Sequence, residues 1–144
     1  MSDSCKKLLT ILNKFEQIPD VEEFVLQTAS NWNIDPETIN ELVLSTEEIV
    51  SNIINYGFND VSEDREINIL MMKNETKISI IIKDDGMAFN PLGKENPDSI
   101  EKPVEEREAG GLGIYFVKEL MDHVDYHHEG KFNLLTIEKF ITKI

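Results

Sequence analysis

Residues 37–56 form the segment that most restricts the folds open to this chain of 144 residues. Wound at about 100° per residue, the segment divides into two faces. A broad apolar arc consists of Ile39, Leu42, Val43, Ile49, Val50 and Ile53. A narrow polar stripe on nearly the opposite side consists of Glu41, Ser45, Glu48, Asn52 and Asn55. The arc predicts a long helix that needs a second layer of structure to cover it.

Four segments with alternating or β-branched residues are candidates for that second layer. Residues 6–12 predict a first strand, and residues 65–72 and 76–84 predict a hairpin with a polar turn at Asn74 and Glu75. Residues 123–141 predict a second hairpin, because Glu129 and Gly130 interrupt them with a turn signal.

Proline, aspartate and glycine mark the predicted helix ends. Pro19 suits the first turn of a helix, and the sequence NIDPE at 33–37 ends that helix and begins the next. Asp35 is the expected cap of the long helix, and Gly57 its expected stop. Helical spacing returns in residues 113–122.

The resulting order, β-α-α-β-β-α-β-β, predicts an α+β fold. We expect one domain over residues 1–144, a two-layer sandwich with a mixed, mostly antiparallel sheet and helices on one face. Residues 86–109 contain three of the five prolines and many charges, so they predict a long loop. Loops beyond about 15 residues in a compact domain often cover a site, and we expect a lid over about 90–109.

Charge and cysteine content limit the partners. A net charge of −14 disfavours nucleic acid and anionic membranes, and it suits a basic protein or a metal-neutralised anion. Cys5 is the single cysteine, which excludes an intramolecular disulfide. The first ten residues lack the apolar core of a signal peptide, so we expect a cytoplasmic protein.

Three motifs carry the candidate chemistry, and each has an ordinary alternative. The stripe holding Glu48 and Asn52 offers oxygen ligands to a cation or phosphate, although a solvated helix face would look similar. The strand end at Asp84-Asp85-Gly86 offers a carboxylate beside a close backbone approach, although Asp-Gly is a common turn. The glycines at 110, 111 and 113 open a helix whose N–H groups suit an anion, although they also suit a flexible helix entry.

In this order the three motifs resemble the GHKL ATPase superfamily, and most closely the small anti-sigma factor serine kinases of the RsbW and SpoIIAB type. Residues 48–52 are similar to the asparagine box of that family, 84–88 to its D-x-G-x-G box, and 110–113 to its second glycine box. The resemblance covers nearly the whole chain and implies the GHKL (Bergerat) ATP-binding fold.

The resemblance also implies a site for ATP and Mg²⁺. Glu48 would be the general base, and Asn52 would hold the metal that bridges the phosphates. Asp84 would accept a hydrogen bond from the adenine amino group, and Thr136 would help to hold the same end. The expected ATP-binding residues are Asn52, Asn55, Asp84, Gly86, Ala88, Gly110, Gly111, Leu112, Gly113 and Thr136.

The implied function is an anti-sigma factor and protein-serine kinase that acts in transcription regulation. Its partners would be a sigma factor and a STAS-domain antagonist, which it phosphorylates, and relatives suggest a homodimer. Ala109 stands where some relatives have arginine, and Arg107 lies two residues upstream. This departure leaves two alternatives, which are a nucleotide-dependent binding switch without kinase activity and a non-nucleotide interaction domain on a degenerate GHKL scaffold.

Overall fold

The computed structural model describes residues 5–58, 63–87 and 111–141. The elements in chain order are β1 (Lys6–Leu12), a 3-10 turn (Phe15–Gln17), α1 (Ile18–Asn31), α2 (Pro36–Tyr56), β2 (Glu66–Lys73), β3 (Lys77–Asp84), α3 (Gly111–Leu120), β4 (His123–Glu129) and β5 (Phe132–Phe140). Their order confirms the predicted alternation of strands and helices. None of the helices within the described ranges has the length and the apolar composition of a membrane span.

The five strands form one sheet in the order β1-β2-β3-β5-β4. Every pairing between described strands is antiparallel, so the predicted mixed sheet is corrected to an antiparallel one. Two hairpins account for β2-β3 and β4-β5. The helix pair between β1 and β2 returns the chain to the end where β1 stopped, because Leu12 pairs with Glu66. That return makes the β1-β2 pairing antiparallel as well.

One face of the sheet carries the core, as predicted. Side chains alternate between the two faces of a strand, so every second residue faces the helices. The buried inward residues of the central strands are Ile67, Ile69, Met71, Ile78, Ile80, Ile82, Leu135 and Ile137. The helices cover them with Val21, Val25, Leu42, Ile49, Val50, Ile114 and Val117, all buried. The α+β fold class and the one-sided helical layer are therefore confirmed.

The long helix α2 begins and ends where local chemistry predicts. The Thr38 N–H donates to Asp35 Oδ2 over 3.0 Å, and Pro36 occupies the first helical turn. Hydrogen bonds from the side chain and the backbone of Thr38 lower the pKa of Asp35, because they stabilise its charged form. At the other end, the Gly57 N–H donates to the Ile53 carbonyl over 2.8 Å. This capping sets which α2 side chains lie beside the ends of β3 and β5.

Candidate functional site

A cavity lies between α2, α3 and the sheet, where β3 ends and β5 begins. It contains about 460 Å³ of space, part of it open to solvent. Its walls are mostly apolar and are formed by Ile49, Asn52, Ile53, Gly57, Asp84, Met87, Ile114, Tyr126, Asn133 and Leu135. Asn52 and Asp84, two residues that the sequence selected, therefore line one cavity.

Asp84 supplies the cavity with a buried carboxylate. Its side chain is only 5% exposed, and its Oδ1 accepts from the Gly86 N–H over 2.7 Å and from Asn133 Nδ2 over 3.1 Å. Burial raises the pKa of Asp84, and these two hydrogen bonds oppose that rise. Within the described residues both bonds reach Oδ1, so Oδ2 is the atom suited to accept from a ligand donor.

Asp85, the other aspartate of the motif, has a different environment. Its Oδ2 lies 2.9 Å from Arg65 Nη2, and the same guanidinium group donates to the Asp85 carbonyl over 3.3 Å. Alternation along β3 sends Asp84 toward the helices, since Ile78, Ile80 and Ile82 have the same parity and are buried. Asp85 follows the strand and holds Arg65. The strand register thus distinguishes two aspartates that look equivalent in sequence.

Asn133 is the functional candidate that the sequence analysis missed. Its Nδ2 lies 3.1 Å from Asp84 Oδ1, 3.3 Å from the Gly86 carbonyl oxygen and 3.0 Å from the Met87 carbonyl oxygen. Its Oδ1 accepts from the Tyr126 hydroxyl. Two amide hydrogens share three acceptors, so Asn133 ties β3, β5 and the chain after β3 into one network. The available signal was a polar residue at the inward parity of an otherwise apolar strand face.

Gly86 is required by contact with the end of α2. A Cβ atom at this position would lie 2.1 Å from the Gly57 carbonyl oxygen, a distance no side chain tolerates. The same carbonyl accepts from the Met87 N–H over 2.7 Å. In the sequence, Gly86 is predicted to allow a close approach to the backbone. The structure adds a reason internal to the protein, which is the packing of the turn after β3 against α2.

Asn52 and Glu48 are joined on α2. Asn52 Nδ2 donates to the Glu48 carbonyl oxygen and to Glu48 Oε2, each over 2.8 Å. Both partners are acceptors, so the amide nitrogen must face them and Asn52 Oδ1 is left to bind a cation or a donor. Burial raises the pKa of Glu48, and the bond from Asn52 opposes the rise. A carboxylate with a raised pKa accepts a proton more readily.

Gly113 of α3 allows Glu48 to take this position. A Cβ atom on Gly113 would lie 1.9 Å from Glu48 Oε2 and 2.0 Å from its carboxyl carbon. The carboxylate therefore rests directly on the backbone of α3. Two residues assigned to different motifs in the sequence, Glu48 and Gly113, are in contact in the structure.

The polar stripe does not form a single exposed face, contrary to its predicted place opposite the core. Ser45 is 1% exposed, and Glu48 is half-buried. Glu41 Oε1 pairs with Lys139 Nζ at 2.8 Å. Asn55 is exposed and does not line the cavity. Only Glu48 and Asn52 keep a position beside the candidate site.

Thr136 requires a correction. Asn133, Leu135 and Ile137 face the helices, and residues of the opposite parity face the other side of the sheet. Thr136 therefore points away from the cavity, and Asn133 holds the position facing Asp84. Ala88, Gly110, Arg107, Ala109 and the lid predicted over 90–109 lie outside the described residues. Gly111 and Leu112 fall in the first turn of α3.

The described residues offer few side-chain ligands to a metal at this site. Within 5–58, 63–87 and 111–141, no group of three or more His, Cys, Asp or Glu side chains could hold an ion. Mg²⁺ commonly binds through one or two protein oxygens together with substrate phosphates and water. The free Asn52 Oδ1 fits that mode of binding.

Comparison with known proteins identifies the protein family of the chain. The family model described as "Histidine kinase-like ATPase domain" matches residues 11–139, and the chain belongs to that family. A solved histidine kinase domain from the blue-light activated histidine kinase of Erythrobacter litoralis EL346 has a TM-score of 0.55 and 14% identity. That match covers 84% of this chain and 61% of the other. At this identity the likeness concerns the fold alone.

The most informative relatives are named serine-protein kinase RsbW. The protein from Oceanobacillus iheyensis is 33% identical over 104 residues, which cover 70% of this chain and 65% of the relative. The protein from Bacillus cereus (strain AH820) is 28% identical over 127 residues, which cover 85% and 78% respectively. The chain thus spans just under two thirds of the first relative and about three quarters of the second. The family expected from the three motifs is confirmed.

Proposed function

We propose that this protein binds Mg·ATP in the cavity and transfers the γ-phosphoryl group to a serine hydroxyl of a protein partner. The observation that carries the proposal is the pair Glu48 and Asn52. Asn52 lines the cavity, and its carbonyl oxygen accepts no hydrogen bond from the described residues. Glu48, half-buried one turn earlier, has a raised pKa. Relatives named serine-protein kinase support the reaction class.

The adenine ring would occupy the end of the cavity near Asp84. Apolar walls such as Ile49 and Leu135 suit a flat aromatic ring, and Asp84 suits its exocyclic amino group. A buried acceptor that is left unpaired by a wrong base costs more than the hydrogen bond itself contributes, so Asp84 would favour adenine over bases lacking that donor. Asn133 would keep the Asp84 carboxylate oriented.

The phosphates would then extend toward Asn52 and the start of α3. Asn52 Oδ1 would bind Mg²⁺, and residues 110 to 113 would offer N–H groups at the helix N-terminus. The metal would supply neutralisation of phosphate charge, which matters in a protein of net charge −14. Glu48 would accept the proton of the attacking hydroxyl.

The partners proposed are those of the anti-sigma factor serine kinases that the motifs resemble. The protein would hold a sigma factor inactive, as a homodimer in the cytoplasm, and would phosphorylate a STAS-domain antagonist. Its acidic composition suits a basic surface on the sigma factor. Phosphorylation of the antagonist would leave the sigma factor bound, which makes the kinase a regulator of transcription.

The experiment is incubation of the full chain with labelled ATP, Mg²⁺ and a panel of STAS-domain proteins, followed by phosphosite mapping. Transfer to one serine of one partner is the expected result. Calorimetric binding of Mg·ATP without transfer to any partner would favour the nucleotide-dependent binding switch. No binding of adenine nucleotide at millimolar concentration would leave the non-nucleotide interaction domain as the function.

A further inference from the structure

A second opening lies beside the cavity, between α2 and α3. We call it the acceptor groove and define it by Leu44, Ser45, Glu48, Gly113, Phe116 and Leu120. It encloses about 950 Å³ and is open to solvent. Leu44 is 49% exposed and Phe116 53% exposed, so two large apolar side chains stand at the groove without cover from the described residues.

Glu48 lines this groove and is joined to the cavity by its hydrogen bond with Asn52. Asn52, one turn away, lines the cavity, whereas Glu48 and Gly113 line the acceptor groove. The Glu48 carboxylate thus stands between the two openings. A proton acceptor in this position is reached by a nucleotide from one side and by a hydroxyl from the other.

Ser45 gives the groove an unpaired polar atom. The residue is 1% exposed, and its Oγ has no hydrogen-bond partner among the described residues. Buried hydroxyls are usually paired, because an unpaired one loses its bonds to water without replacement. A backbone group of a bound segment would satisfy it.

We propose that the acceptor groove binds the phospho-acceptor segment of the protein substrate, an inference that rests on the proposed kinase function. An apolar side chain of the segment packs between Leu44 and Phe116, and a neighbouring serine hydroxyl reaches Glu48. The hydroxyl proton passes to the Glu48 carboxylate as the serine oxygen bonds to the γ-phosphorus of ATP. The bond from that phosphorus to the β–γ bridging oxygen breaks, and ADP leaves.

The charge of the groove restricts its occupant. Glu47, a further lining residue, lies beside Glu48, and none of the described residues that line the groove is basic. Two neighbouring carboxyl groups repel further negative charge, and a partly buried site is screened less by salt than an open surface. The segment therefore has apolar residues and neutral or basic residues, without aspartate or glutamate beside the serine.

The kinase variants for the test are Leu44→Ala and Phe116→Ala, combined in one protein. Both side chains are about half exposed, so their truncation leaves the core intact. The matched controls are Leu26→Ala, an exposed leucine on α1, and Phe140→Ala, an exposed phenylalanine on β5. Steady-state phosphorylation of the STAS partner is measured with the concentrations of ATP and partner varied separately.

We expect the double variant to raise KM for the partner about tenfold or more, with kcat at saturating partner and KM for ATP within twofold. The controls should match wild type. A double variant with unchanged KM for the partner would overturn the inference, and so would a loss confined to ATP binding. Phosphorylation of no partner by wild type would instead reject the proposed function, and the inference with it.

A coupling experiment separates direct contact from a distant effect. Each apolar residue flanking the mapped serine in the partner is changed to alanine and assayed with both kinases. One such change should raise KM with the wild-type kinase and have little further effect with the double variant, because interacting pairs are non-additive. Additive effects at every flanking position would show that the groove binds something other than the acceptor segment. The same conclusion would follow if the double variant kept the wild-type KM for the partner and differed from wild type only in its oligomeric state, measured by gel filtration.

Discussion

The two ends of the candidate site differ in how firmly the protein holds them. At the sheet end, Asp84 and Asn133 are 5% and 6% exposed and belong to a network that also fixes Gly86, Met87 and Tyr126. At the helix end, Glu48 is half-buried, and among the described residues only Asn52 donates a side-chain hydrogen bond to its carboxylate. Recognition of a base needs a rigid acceptor, whereas proton transfer needs a carboxylate that a substrate can reach.

The two ends should therefore respond differently to substitution. Changes at the sheet end should alter stability and nucleotide affinity together, since the same hydrogen bonds serve both. Changes at the helix end should alter transfer with little effect on affinity or folding. Four substitutions test this division, and their expected effects decrease in the order given.

The largest effect is expected for Glu48→Gln. Glutamine keeps the shape of the side chain but cannot accept the proton, so transfer to the partner should fall about 10²- to 10⁴-fold. The Kd for Mg·ATP, measured by calorimetry, should stay near the wild-type value. The control is Glu37→Gln, an exposed residue in the first turn of the same helix. Equal transfer rates for wild type and Glu48→Gln would remove the catalytic role of Glu48.

Gly113→Ala is expected to rank second. Its new Cβ atom would occupy the place of the Glu48 carboxylate, which must move away. Misplacing a catalytic group by about 1 Å can reduce a rate on the order of 10²-fold. Thermal unfolding should change little, because the displaced atoms are the far end of a flexible side chain.

A second substitution decides the cause of that loss. Glu48→Asp shortens the side chain by one methylene and withdraws the carboxylate from the new Cβ atom. The double variant Gly113→Ala with Glu48→Asp should therefore transfer faster than Gly113→Ala alone. Without such rescue, Gly113 would act through the α3 backbone and not through the position of Glu48.

Asp84→Asn should come third and affect binding of nucleotide. Loss of a charged acceptor typically costs about 1.5–3 kcal/mol, which corresponds to roughly a tenfold to hundredfold increase in Kd for ATP. The control is Asp125→Asn, which is exposed on β4. A Kd unchanged by Asp84→Asn would contradict the assignment of the adenine end to Asp84.

Asp84→Asn should also change how the stability of the fold depends on pH. The pKa of Asp84 is raised in the folded state, so the unfolded chain loses this proton at a lower pH than the folded chain does. As pH rises, ionisation of Asp84 therefore opposes folding. Asp84→Asn removes that penalty and should be more stable than wild type at neutral pH. The advantage should disappear below the ordinary aspartate pKa, where both states of the wild type are protonated. Thermal unfolding at several pH values measures it.

Asn133→Ala is expected to have the smallest effect on activity but a clear effect on folding. It leaves Tyr126 and the Asp84 region short of hydrogen bonds, at a cost of about 1–3 kcal/mol in the free energy of unfolding. Asn68→Ala is the control, because Asn68 is more exposed and donates to Thr10 across β1 and β2. Equal destabilisation by the two substitutions would mean that the sheet end is no more tightly built than an ordinary strand pair.

The sequence alone was sufficient for the elements and the family. Strand β1 was predicted with the bounds that the structure has, and Asp35 and Gly57 mark the two ends of α2 as expected. These signals are local, because a cap, a turn or a helical period depends on residues within a few positions of one another. The ordered motifs at 48–52, 84–88 and 110–113 likewise needed no coordinates to indicate an ATPase domain.

Tertiary structure decided which side chains meet. Asn133 faces the cavity and Thr136 faces away because of the parity of one strand, and a shift by one residue would exchange them. Gly113 supports Glu48, and Gly86 avoids the Gly57 carbonyl, only because distant segments pack at van der Waals distance. No local pattern encodes such contacts, since they arise from the register of the sheet and from the packing of α3 against α2.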